Sequence, residues 1–168
     1  MTDRQRLYDI QLSNILSLLL YHIRVVRRKG KFMENIKEVA EYVIRELKQQ
    51  GFFILRYDAY TTNSIYLKLD CGVAKSIRIS DHQGKKHLRY SYNLLKHYNG
   101  KQFVKDNGFW RQYFNFKQVD VMIGQIVKDR KYLMDKLGGE KQYEEQMLIE
   151  WNKNKDSKIG FWKDAKIV

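Results

Sequence analysis

The stretch that decides the fold runs from residue 64 to residue 82 and reads SIYLKLDCGVAKSIRISDH. Apolar residues occupy every second position near its two ends: Ile65, Leu67, Leu69, Ile77 and Ile79. Because successive side chains of a strand point to opposite faces of a sheet, this alternation predicts two half-buried strands. The connection at 71–74 contains glycine and predicts a hairpin, so we expect the two strands to be antiparallel.

The rest of the chain extends this unit on both sides. Further strands are predicted at 52–57 and 86–93, and a fifth, short one within 109–114. Apolar residues at helical spacing predict amphipathic helices at 34–50 and 117–137, with Asn115 as a candidate cap for the second. We therefore expect an α+β fold, in which a small, mostly antiparallel sheet packs on amphipathic helices and a long N-terminal helix precedes it.

Three segments are expected along the chain. Residues 1–33 form the N-terminal helix, residues 34–139 form the α+β domain, and residues 140–168 form a C-terminal helix and a basic tail, part of which docks. The first helix is apolar over much of its circumference. Two interpretations stay open, since it either packs on its own domain or forms the seam of a homodimer. The residues expected at such a seam are Leu12, Ile15, Leu16, Leu19 and Ile23.

Composition restricts the classes of function. The chain has 168 residues, 32 Lys and Arg against 19 Asp and Glu, and therefore a net charge of +13. A domain this basic typically binds a polyanion such as nucleic acid. Cys71 is the single cysteine, which excludes an intrachain disulfide and favours a reducing compartment. No apolar run reaches the ~20 residues that span a bilayer, so we expect a cytoplasmic protein that binds no membrane.

The positive charge is concentrated in the predicted sheet. Residues 52–115 contain eleven basic and four acidic residues, a net charge of +7. If Leu88 and Tyr90 face the core, one sheet face carries cations and an aromatic ring together, at Tyr66, Lys68, Arg78, His87 and Arg89, with Lys85 and Lys86 in the adjoining turn. Such a mixture suits phosphate contacts and base stacking. An ordinary solvated sheet face is the alternative. The aromatic run at 109–116 is interpreted as core, with base stacking as its alternative.

Asp81 and His82 are the residues closest to a catalytic signature. An aspartate can orient a histidine and raise its basicity, as acid–base catalysis of phosphodiester cleavage requires. The same two residue types also bond free backbone groups at strand ends, which is the interpretation we favour, and ligand contact is a further alternative. No cluster of metal ligands accompanies them. We therefore expect no enzyme activity, no metal and no cofactor.

The serine and tyrosine at 64 and 66, followed by the IRISDH run at 77–82, form a motif. It resembles a motif in small proteins of phages and mobile elements, including a phage anti-CRISPR protein that inhibits Cas9. The resemblance covers about residues 50–137 and identifies no catalytic residue. It implies a phage or mobile-element origin, a bacterial host cell and a role against host defence.

The expected function combines this resemblance with the basic surface. The leading hypothesis is a non-catalytic inhibitor that binds a CRISPR effector ribonucleoprotein or its nucleic acid through Tyr66, Lys68, Arg78, Asp81, His82, Lys85, Lys86, His87 and Arg89. One alternative is a general DNA- or RNA-binding accessory protein of a mobile element. The other is a small nuclease that uses Asp81 and His82.

Overall fold

A computed structural model describes residues 33–92, 104–106 and 109–168 of the chain. Within them the fold is α+β, as the sequence predicts. The long helix predicted over residues 1–33 and its candidate seam residues Leu12, Ile15, Leu16, Leu19 and Ile23 lie outside the described residues.

The central element is an antiparallel sheet. Its strands are β1 (Ile54–Ala59), β2 (Ser64–Leu69), β3 (Ser76–His82), β4 (Lys85–Tyr92), β5 (Val104–Asp106), β6 (Phe109–Phe114) and β7 (Lys166–Ile167). Their order across the sheet is β5-β6-β4-β3-β2-β1-β7. Strands β1 to β4 form the predicted meander, and β6 is the predicted fifth strand. The sequence analysis missed β5 and β7, because strands of three and two residues are too short to show a period.

Four helices of the described residues accompany the sheet: α1 (Ile36–Gln49), α2 (Val119–Leu137), α3 (Glu140–Asn154) and α4 (Gly160–Asp164). The side chain of Asn35 accepts a hydrogen bond from the backbone N–H of Glu38, which caps α1. Asn115 and Gln118 form a reciprocal capping box at the short 3-10 turn that leads into α2. The helices predicted at 34–50 and 117–137 are thus present, with ends that differ by at most two residues, and α3 is the predicted C-terminal helix.

The core lies between α1, α2 and one face of the sheet. Alternate residues of the strands and one side of each helix supply its fully buried members. They are Ile65, Leu67, Ile77, Ile79, Leu88, Tyr90, Val39, Val43, Met122 and Ile126. Burying each large aliphatic side chain contributes about 1.5–3 kcal/mol. Because this one face holds the core, the alternate side chains of the same strands point to the other face.

The C-terminal segment covers one side of that other face. The ring of Trp151 in α3 packs edge-on against Phe53, and Phe161 of α4 packs edge-on against Tyr57 of β1. Strand β7 then joins the sheet beside β1. The segment 140–168 thus contacts the domain along its length, and the predicted docking of the tail is present. We call the half of this face that β2, β3, β4 and β6 form the open face.

A buried carboxylate fixes the connection between β2 and β3. Asp70 is fully buried and accepts hydrogen bonds from the backbone N–H of Phe53 (2.9 Å), from Arg130 Nε (2.6 Å) and from the hydroxyl of Tyr143 (2.6 Å). Arg130 also donates to the carbonyl groups of residues 50 and 51. Asp70 and Arg130 together therefore join the sheet to α2, to α3 and to the end of α1.

Candidate nucleic-acid interface

The register of the strands aligns four functional side chains across the open face. Tyr66 of β2 lies opposite Arg78 of β3, Arg78 opposite Arg89 of β4, and Arg89 opposite Tyr113 of β6. We call these four residues the tyrosine–arginine row. His87 lies beside the row on β4, and Arg111 lies beside it on β6. Two cations thus stand next to each other, with an aromatic ring at either end.

Arg78 is held in place by the motif serines. Its Nε and Nη2 donate to Ser64 Oγ at 3.2 and 3.1 Å, and the hydroxyls of Ser64 and Ser80 lie 3.0 Å apart. Ser64 Oγ donates in turn to the carbonyl oxygen of Thr62. Both serines are buried, although they lie on the polar side of the sheet. The two halves of the sequence motif are therefore parts of one hydrogen-bonded cluster that orients Arg78.

The ring of Tyr66 completes the environment of Arg78. The guanidinium carbon lies 5.5 Å from the centroid of that ring, within the range of a cation–π contact. On its other side Tyr66 lies 6.2 Å from Tyr57, with the two rings tilted. Since both neighbours of the Tyr66 ring are in place, its role is to support Arg78.

Arg89 is the least compensated cation of the row. Burial lowers the pKa of its guanidinium, and the positive charges of Arg111 and Arg78 lower the same pKa further. Among the described residues, its Nε has no hydrogen-bond acceptor. Like charges directly opposite each other on neighbouring strands destabilise a sheet. An anion placed here would relieve that repulsion.

Among the described residues, no carboxylate forms an ion pair with Arg78 or Arg89. Described ion pairs lie elsewhere, for example at Arg56 and Arg130. On an ordinary solvated sheet face, charges of both signs are interspersed and pair across strands. The row is instead one sign of charge between aromatic rings, the composition of a surface that binds phosphates and bases.

Tyr113 and Arg111 belong to this surface and were missed by the sequence analysis, which assigned the run at 109–116 to the core. Phe114 and Phe116 are indeed buried, but Tyr113 is 52% exposed. Its ring centroid lies 6.0 Å from that of His87. The alternation in β6 could have separated Tyr113 from Phe114. The pairing of β6 with β4, which places Tyr113 beside Arg89, has no local sequence signal.

Lys68, by contrast, is separated from the open part of the face. Its Nζ lies 4.8 Å from the ring centroid of Phe161 and 5.1 Å from that of Trp162. Burial lowers the pKa of its ammonium group, with a further lowering by Lys75 and an opposing effect of Glu150. Aromatic rings of the C-terminal segment therefore already contact this predicted binding residue.

Four other predicted residues lie at the tip of the β3–β4 hairpin. Asp81 is opposite Lys86, and His82 is opposite Lys85. Asp81 and His82 are consecutive in β3, so their side chains point to opposite faces. No hydrogen bond joins these two side chains in the part of the chain that the structure describes. The backbone of Asp81 instead exchanges hydrogen bonds with Asn63, and the N–H of His82 donates to Ser80.

Thiol and metal chemistry find no site in the described residues. Burial raises the pKa of the Cys71 thiol to about 11, so this cysteine is protonated at neutral pH and is a poor nucleophile. No group of three or more His, Cys, Asp or Glu side chains comes close enough to hold a metal ion among the residues searched, which are those described above.

Replacing Ser64 by alanine tests the link between the motif and Arg78. The variant leaves the donors of Arg78 without their acceptor, so we expect the free energy of unfolding, measured by urea denaturation, to fall by about 1–2 kcal/mol. Ser91→Ala is the matched control, because Ser91 lies on the same face and its side chain bonds none of the described residues. An equal loss of stability in both variants would contradict the assigned role of Ser64.

Comparisons with known proteins provide no assignment for this site. No protein-family model matches the sequence, and neither the curated proteins nor the solved structures contain a significant match. None of the helices in the described part of the chain combines the length and the apolar character needed to cross a lipid bilayer.

Proposed function

We propose that this protein is a non-catalytic nucleic-acid-binding protein that acts on a CRISPR effector ribonucleoprotein. The observation that carries the binding function is the tyrosine–arginine row. Two adjacent arginines, neither of which pairs with a carboxylate in the described part of the chain, lie on the open face of the sheet, between the rings of Tyr66 and Tyr113. Guanidinium groups bind phosphate oxygens in a bidentate geometry, and rings of this kind stack on bases.

The arrangement favours a bound anion over a merely solvated surface. Arg78 is already oriented by Ser64 and Tyr66, so little side-chain entropy is lost when it binds a phosphate. Arg89 is half-buried between Arg78 and Arg111, a placement that costs free energy in the unliganded protein. Binding of a polyanion offsets this cost. The net charge of +13 adds a long-range attraction to the same partner.

The choice of an effector as the target rests on the resemblance of the motif at 64–82 to that of a phage anti-CRISPR protein. The sign of the surface then determines the mode of inhibition. An acidic protein would mimic DNA and occupy the effector's nucleic-acid channel, whereas a basic protein binds the guide RNA or the target DNA. We therefore propose that it competes with the effector for nucleic acid.

A cleavage assay tests this function. The purified protein is added to Cas9 and to an RNA-targeting effector, each loaded with its guide, and target cleavage is measured. We expect inhibition of at least one effector, and co-purification of the protein with that ribonucleoprotein. A change of Arg78 and Arg89 to glutamate is expected to remove inhibition. Full cleavage by every effector at saturating wild-type protein would overturn the proposed target.

The tyrosine–arginine row equally favours a second candidate, a general DNA- or RNA-binding accessory protein. This candidate predicts tight binding to free nucleic acid with a steep salt dependence, and no effect on effectors beyond loss of free substrate. A series of competitor nucleic acids separates the two, because a protein directed at one effector should lose inhibition most readily to that effector's own guide RNA or target, whereas the accessory protein should lose it equally to any nucleic acid. Oligonucleotides that stay intact after long incubation with the protein and a divalent metal would exclude the nuclease alternative.

A further inference from the structure

We infer that the ligand of this face is a single-stranded polynucleotide, with a base stacked on Tyr113 and the neighbouring phosphates bound around Arg89. The inference rests on the proposed nucleic-acid binding and names the class of nucleic acid and the residue that selects it.

Tyr113 is the ring of the row that is free to stack. Tyr66 has Arg78 on one side and Tyr57 on the other. Tyr113 is 52% exposed, and its one ring contact among the described residues is with His87. In a duplex each base is covered on both faces by its neighbours, so an exposed ring on a sheet surface meets no free base. A single strand presents such bases, and every base has a face that can stack.

The partial burial of the arginines also favours a single-stranded ligand. Arg78, Arg89 and Arg111 are all partly buried on the sheet face. A phosphate must therefore approach the sheet surface itself, which a flexible single strand can do. Adjacent strands are about 4.8 Å apart, so the Cα atoms of Tyr113, Arg89 and Arg78 fall within about 10 Å along the row. One strand laid across the sheet meets the ring and then both cations.

Fluorescence anisotropy with labelled oligonucleotides of about twelve nucleotides tests the inference. The probes are oligo-uridine RNA, oligo-thymidine DNA and the duplex of the DNA with its complement. We expect both single strands to bind about tenfold or more tightly than the duplex. Tyr113→Ala should weaken single-strand binding by about tenfold and leave duplex binding unchanged, whereas Tyr113→Phe, which keeps the ring, should bind as the wild type does.

Tyr60→Ala is the matched control, because Tyr60 is 87% exposed and lies in the turn between β1 and β2, away from the row. Both tyrosines are exposed, so both alanine variants should fold, which circular dichroism checks. Equal affinity for duplex and single strand, or single-strand affinity unchanged in Tyr113→Ala, would overturn the inference and leave nucleic-acid binding intact. No binding to any of the three probes would overturn both.

Discussion

Replacing Asp70 by alanine is expected to lower the free energy of unfolding by about 3–5 kcal/mol, the largest effect of any single substitution considered. The variant leaves the guanidinium of Arg130 without its carboxylate, and it removes the acceptor of the Tyr143 hydroxyl and of the Phe53 N–H. Burial, followed by the charge of Asp70, raises the pKa of Tyr143, so this phenol stays protonated and donates at any physiological pH. Since domains of this size are stable by about 5–15 kcal/mol, the loss should be visible directly in a urea titration.

Asp58→Ala provides the control for this loss. Asp58 also binds an arginine, Arg56, at 2.7 Å, but both side chains are partly exposed and the pair joins two positions of one strand. Pairs at the surface contribute about 0–1 kcal/mol. Asp70→Asn keeps an acceptor but removes the charge, and its stability should fall between those of the alanine variant and the wild type. A loss below about 1 kcal/mol in Asp70→Ala would show that the network does not connect the helices as described.

The second large effect concerns binding. Changing Arg78 and Arg89 together to glutamate is expected to weaken binding of single-stranded nucleic acid by about 100-fold or more, because it replaces two attractive contacts with repulsive ones. Lys128→Glu with Lys131→Glu is the control. It alters net charge equally, on exposed positions of α2, the helix that covers the opposite face of the sheet. Comparable losses in both variants would mean that net charge, and not the row, determines affinity.

Arg89→Gln separates a binding role from a structural one. Replacing an arginine that holds the fold together lowers the stability of the protein. Arg89, however, is repelled by the charges of Arg78 and Arg111, and its Nε has no acceptor among the described residues. The free energy of unfolding should therefore stay within about 0.5 kcal/mol of the wild type or rise. Binding should weaken in the same variant. A clear loss of stability without a change in affinity would assign Arg89 to the fold.

Much of the open face could be predicted because it depends on local alternation. The isoleucines at 77 and 79 are buried, and this fixes the direction of Arg78 between them. Leu88 and Tyr90 do the same for Arg89, which resolves the alternative left open for that strand. The side chains of Tyr66, Lys68, Arg78, His87 and Arg89 thus reach one face as predicted. Whether they bind nucleic acid stays a prediction.

The remaining features depend on contacts between distant parts of the chain. Tyr113 joins the row through the pairing of β6 with β4, and Lys68 is covered by α4, which lies more than ninety residues further along. Asp70 finds its partners sixty and seventy-three residues away, at Arg130 and Tyr143. The alternation of apolar and polar residues along a strand indicates to which face each side chain points. It does not indicate which distant segment of the chain packs against that face.

The alternation of the central strands also has an evolutionary consequence. Residues that hold the fold together and residues of the proposed binding face are different positions of the same strands, as Ile77 and Arg78 illustrate. Point mutations at outward positions can therefore change what is bound while the core is conserved. Insertion or deletion of one residue within β3 or β4 would exchange the two faces and destroy both at once. If the bound partner changes during evolution, we expect related chains to differ by substitutions in the tyrosine–arginine row. We expect the lengths of their strands to stay the same.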